Sequence, residues 1–116
     1  MAKTSQELAI ELAVEITKLC DGIKGRGEFT KQLLRSSSSI SANIAEAKYA
    51  ESNADFIHKL DIALKEANET QNWLVMLNKS DMVDDATFKS LRNKCGKIMR
   101  MLIASINTVK RKNIIT

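Results

Sequence analysis

Arg35 to Ala47 reads RSSSSISANIAEA, four serines in a row leading into an apolar, alanine-rich run. As a flexible linker it would divide the chain into two halves; as part of a packed helix it would lie in the middle of a single core. Reading outward settles the choice. Phe29, Leu33, Ser36, Ile40, Ile44 and Ala47 fall within one narrow stripe at about 100° per residue, so the apolar spacing runs through the serines and continues on both sides. A true linker lacks that continuity. The spacing therefore predicts a helix over Phe29 to Ala47, with Ser36 and Ser37 turned inward and their hydroxyls bonded back to carbonyls of the preceding turn. Together with Ala42 and Ala45, these small side chains let a neighbouring helix approach closely.

Three further segments share the helical period. Thr4 and Glu7 have the spacing of a capping box, opening a helix that runs to about Cys20 and stops at Asp21-Gly22. Gly22, Gly25 and Gly27 make a turn that lacks the GxxxxGK[ST] pattern of a phosphate loop. Phe56, Leu60, Ala63, Ala67, Thr70, Leu74 and Leu77 alternate by four and three residues, the seam of a bundle helix expected over Asn53 to Asn78 and capped by Ser52. After Asp84 and Asp85 a fourth seam runs through Phe88, Leu91, Cys95, Ile98 and Leu102 to Val109. Ser105 fills one step, and Met99 and Ile106 widen the stripe. This helix is expected to reach about Lys112. The intervening NKSDMVDD is a short polar turn, so the last two helices form an antiparallel hairpin. The expected architecture is all-α, an antiparallel up-and-down four-helix bundle forming one domain over residues 1–116.

The totals agree. The chain has 116 residues, 44% of them hydrophobic, with no proline and only 4% aromatic, a composition that leans towards helix. Glu7, Glu11 and Glu15 interrupt the first segment, which rules it out as an export signal, and no apolar run approaches the roughly 20 residues needed to cross a bilayer. A cytoplasmic location, with no membrane partner, is expected. Cys20 and Cys95 lie far apart with no CxxC, and read as small core residues rather than a zinc site or disulfide framework. From Lys89 onward there are eight Lys or Arg and no acid, leaving ten basic residues against all fourteen acids in the rest of the chain. Such asymmetry points to a polyanion or an acidic partner surface.

Two surfaces stand out. On the third segment Ile62, Trp73 and Met76 lie away from the core seam, and the first segment carries Ile10 and Val14 apart from Leu8, Leu12 and Leu19. A tryptophan and methionine patch on the outside of a bundle marks an interface, so self-association through Ile62, Trp73 and Met76 is expected. On the fourth helix Lys89, Lys97, Arg100 and Arg111 cluster away from the seam. With Lys110 and Lys112 they form a cationic ridge suited to salt-sensitive phosphate contacts. Aromatics do not interleave with this ridge, so base stacking is not expected. His58, the sole histidine, has no nucleophile paired with it in sequence, and Glu46, Asp55, Asp61, Glu66 and Glu69 lack the Glu-x-x-His motifs of a di-iron bundle. No catalytic residue, metal site or cofactor is expected.

QLLRSSSSISANIAEA (Gln32 to Ala47) followed by SNADFIHKLDIALKEANETQNWL (Ser52 to Leu74) closely resembles the four-helix bundle family encoded in intervening sequences of bacterial 23S ribosomal RNA. The element from Ser39 to Glu46, SISANIAE, is the specific part. The resemblance implies up-and-down subunits assembled as a homopentamer, without enzymatic activity. It extends to an accessory protein of diversity-generating retroelements, a basic pentamer that binds nucleic acid and a reverse transcriptase. Members often place glycine where this chain has Ala47, so here the second helix is expected to continue through Lys48 and Tyr49. Arg35, Asn43 and Glu46 match the motif and are assigned to helix or subunit contacts; a buried Asn43 would draw its hydrogen bonds from a neighbouring helix end. The resulting expectation is a non-enzymatic homo-oligomer that binds nucleic acid, RNA in particular, through the basic fourth helix and tail. The rival is an oligomeric scaffold for a protein partner, with its basic residues merely solvated.

Overall fold

In the computed structural model, which describes residues 2–115 and side chains up to Lys112, four helices follow one another: α1 Ser5–Asp21, α2 Gly27–Ala47, α3 Asn53–Lys79 and α4 Asp85–Ile115. Each helix packs on its sequence neighbours and α1 closes the ring against α4, giving an up-and-down bundle of 52 × 24 × 23 Å. Local chemistry sets the boundaries. The Thr4 hydroxyl accepts from the Glu7 N–H (3.1 Å) while the Glu7 carboxylate accepts from the Thr4 N–H (3.0 Å), the reciprocal cap that the spacing predicts. Ser52 caps α3 by accepting from the Asp55 N–H at 3.0 Å. The α3–α4 turn carries a feature that the sequence reading missed. Asp81 adopts a left-handed φ of 62°, and the Met82 N–H reaches back to the Leu77 carbonyl (2.9 Å), closing α3 with a Schellman motif that usually uses glycine.

The core is a continuous column in which Leu12, Ile16, Leu33, Ile40, Leu74 and Ile98 are fully buried. The expected α3 seam is buried from Leu60 to Leu77, with Phe56 half-buried at its start. In α4 the seam shifts at its last step: Ile106 is buried, whereas Ser105 is exposed. An α-helix turns every 3.6 residues, so a stripe held at 3.5 drifts, and after Leu102 the next inward position comes four residues on rather than three.

At the opening stretch, Ser36 and Ser37 are buried and bond back to the carbonyls of Leu33 and Leu34, each at 3.3 Å. Thr70 Oγ1 of α3 stands 3.0 Å from Ser36 Oγ, an approach that a larger residue at either position would prevent. Two expectations about α2 are corrected. The helix ends at Ala47 instead of continuing through Lys48 and Tyr49. The N–H groups of Lys48, Tyr49 and Ala50 each bond three residues back, to the carbonyls of Ala45, Glu46 and Ala47, which tightens the chain into a turn without glycine. Half-buried Asn43 takes its partner from its own helix, donating to the Ser39 carbonyl at 2.8 Å, because the preceding turn presents an acceptor within reach.

Candidate nucleic-acid interface

The cations of α4 divide according to the flank they occupy. Lys94 lies on the α1 side, where it ion-pairs with Glu15 at 2.9 Å and Glu11 at 3.6 Å; the hydrogen bond to Glu15 holds its ammonium above the usual lysine range. Arg92 lies towards α3 with its guanidinium over the Phe88 ring, 5.2 Å from the centroid. Lys89, Lys97, Arg100, Lys110, Arg111 and Lys112 are all exposed along the outside. Among the described residues, Lys89, Lys97, Arg100, Lys110 and Arg111 have no carboxylate within ion-pair distance. Arg100 folds back over Gly96: a Cβ there would stand 3.4 Å from its Nη1. Side chains on a helix lean towards its N-terminus, and Gly96 leaves the space for this one to lie flat.

The expected interface residues on α3 sit differently from one another. Met76 is exposed, but Ile62 and Trp73 are half-buried, Trp73 on the flank facing α2 rather than opposite the seam. Trp73 packs against Phe29 of α2 with ring centroids 5.8 Å apart, and its Nε1–H donates to Glu69 at 3.2 Å. The cause is the closeness of the α2–α3 pair. With serines between them the helices approach until residues on the flanks of the seam also meet. Arg35 of α2 crosses the same seam, donating to Glu66 (3.0 Å) and to Glu69. Hydrogen bonds from Arg35 and then Trp73 hold the Glu69 carboxyl below its usual range. Glu46 meets Lys59 at 3.3 Å, so the matched motif residues Arg35 and Glu46 join α2 to α3. The large apolar residues left most open are elsewhere: Ile10 and Val14 on α1, Ile103 on α4, and Tyr49 in the α2–α3 turn.

Among the described residues no group of three or more His, Cys, Asp or Glu is placed to hold a metal, and no helix is long and apolar enough to cross a membrane. His58 is exposed on α3. Cys95 is buried, its thiol directed at the Ala67 carbonyl (3.3 Å), and burial pushes its pKa up to about 12. Cys20 is half-exposed, its pKa also raised, first by burial and then by Asp21. Since the thiolate is the reactive form, a disulfide reagent at pH 8 is expected to modify one thiol per native chain and the second only after denaturant is added. Rapid reaction of both thiols in the native protein would contradict this packing.

The fold and surface thus define an all-α up-and-down bundle with a cationic outer helix. The chain belongs to the 23S rRNA-intervening sequence protein family, which it matches over residues 4–104. It is 40% identical to a protein of unknown function from the S23 ribosomal protein family of Bacteroides thetaiotaomicron VPI-5482. The crystal structure of that protein superposes with a TM-score of 0.83, covering 89% of this chain and 98% of the other. No curated protein matches the chain.

Proposed function

We propose that the protein is a non-enzymatic homo-oligomer that binds nucleic acid, RNA in particular, through the outer face of α4. The observation supporting this reading is the sorting of the α4 cations. Lys94 on the inner flank is paired with α1, while Lys89, Lys97, Arg100, Lys110 and Arg111 face outward without a carboxylate partner among the described residues. Lys112 extends the same run in sequence. Unneutralised cations along one rigid rod are suited to a phosphate backbone, whose condensed counterions they release on binding. Self-association is supported by Met76, Ile10, Val14 and Ile103, each more than a third exposed on a bundle whose core is already filled. Ile62 and Trp73 would contribute the edges they leave open. The family resemblance implies five copies.

The test is binding of the purified protein to fluorescent RNA across a salt series, with its mass in solution recorded in the same buffer. A mass near five times the 12.9 kDa of one chain is expected. Affinity should fall steeply with salt, with a log–log slope of about −0.9 per phosphate neutralised on a duplex. An oligomer that binds no RNA even at low salt would overturn the reading and leave a scaffold for protein partners.

A further inference from the structure

The chain has five aromatic residues, and the fold treats one differently from the rest. Phe29, Phe56, Phe88 and Trp73 are half-buried against the core, whereas Tyr49 is 87% exposed. It is held there by the turn that closes α2, with the N–H of Tyr49 and both neighbours bonded three residues back. A tyrosine displayed in this way on an ordered turn exposes both ring faces at a small cost in conformational freedom. Up-and-down topology brings this turn to the end of the bundle where α4 finishes. Lys48 and Val109 line a common cleft with Ala47, Ala50 and Ser52, so the residue following Val109, Lys110, begins its basic run beside the turn. In sequence Tyr49 and Lys110 are 61 positions apart, and linear reading places no aromatic near the ridge.

We infer that Tyr49 is a stacking platform for an unpaired base, with Lys48 and Lys110 taking the adjoining phosphates, so that this end of the bundle prefers single-stranded RNA to duplex. The inference rests on the nucleic-acid reading above and adds a specificity to it. An aromatic face beside cations is the arrangement that single-strand binders use, because every base has a π-face while a duplex hides its own in the stack. Glu51 also lines the cleft and repels phosphate, which leaves Lys48 and Lys110 to hold the backbone while the ring holds the base.

The experiment compares the parent protein with Tyr49→Ala and Tyr49→Phe, titrating each into a fluorescent 12-nucleotide oligoadenylate and into a 12-base-pair RNA duplex. Tyr49→Ala is expected to weaken oligoadenylate binding about tenfold, at the low end of what stacking on one ring contributes, and to leave duplex affinity within about twofold. Tyr49→Phe, which keeps the ring, should bind as the parent does. Equal losses on both RNAs, or none on either, would overturn the platform while leaving the ionic reading intact. A changed mass in solution for Tyr49→Ala would also overturn it, because the ring would then be a contact between copies. If the parent protein bound neither RNA, both readings would fall together.

Discussion

Ser36→Leu is expected to destabilise the bundle by about 3 kcal/mol, at the upper end of what overpacking a filled core costs. Ser36 is fully buried, and its hydroxyl lies 3.0 Å from Thr70 Oγ1 across the α2–α3 contact. Leucine adds two methyl-sized groups beyond the serine oxygen's position, where there is no room, so one helix must move away from the other. Thr70 keeps a bond to the Glu66 carbonyl at 2.8 Å, so no polar group is orphaned and the cost is steric. Ser36→Ala should therefore cost about 1 kcal/mol or less, the typical value of one neutral hydrogen bond. Exposed Ser38→Leu should be nearly neutral. In thermal unfolding followed by circular dichroism, the leucine variant should melt roughly 10 °C or more below the parent. A melting point unchanged by Ser36→Leu would mean that the helices are not in close contact there.

The second large effect concerns binding. Lys97→Gln, Arg100→Gln and Arg111→Gln combined should reduce the log–log salt slope by about 2 to 3 and weaken RNA binding on the order of 10²-fold at 0.1 M salt, if each cation neutralises one phosphate. The informative control is Lys94→Gln. Lys94 is already engaged with Glu11 and Glu15, so its removal should leave the slope nearly unchanged, whereas Arg100→Gln alone should lower it by about 1. Equal effects of Lys94→Gln and Arg100→Gln would show that net charge, not the outer face, governs binding.

The sequence discloses whatever depends on one helix at a time. The α3 seam, the Thr4 and Ser52 caps and the inward serines each follow from spacing within about one turn of their partners. Pairings across helices are harder to read, because they depend on how one helix is rotated against the next. Trp73 reads as lying opposite the seam until Phe29, 44 positions earlier, is found packed against its ring. The α2–α3 turn and Val109 are likewise far apart along the chain, yet they line one cleft in the bundle. Asp81 was hidden for a different reason: left-handed backbone is read from glycine or asparagine, and aspartate adopts it often enough to serve but too seldom to signal.

The length of α4 has an electrical consequence. Val109 lies level with the α2–α3 turn, and the helix runs on from Lys110 to Ile115, a rise of about 9 Å at 1.5 Å per residue. The Debye length at physiological ionic strength is about 8 Å. The end of the helix therefore stands roughly one screening length clear of a body that holds all fourteen of the chain's acids. The cations themselves, Lys110, Arg111 and Lys112, lie within about 4.5 Å of rise beyond Val109, inside that screening length, so a polyanion meeting this end feels them together with Glu51 of the turn, only partly screened. With eight cations and no acid from Lys89 to Lys112, the slight overall charge of +4 understates the field along α4.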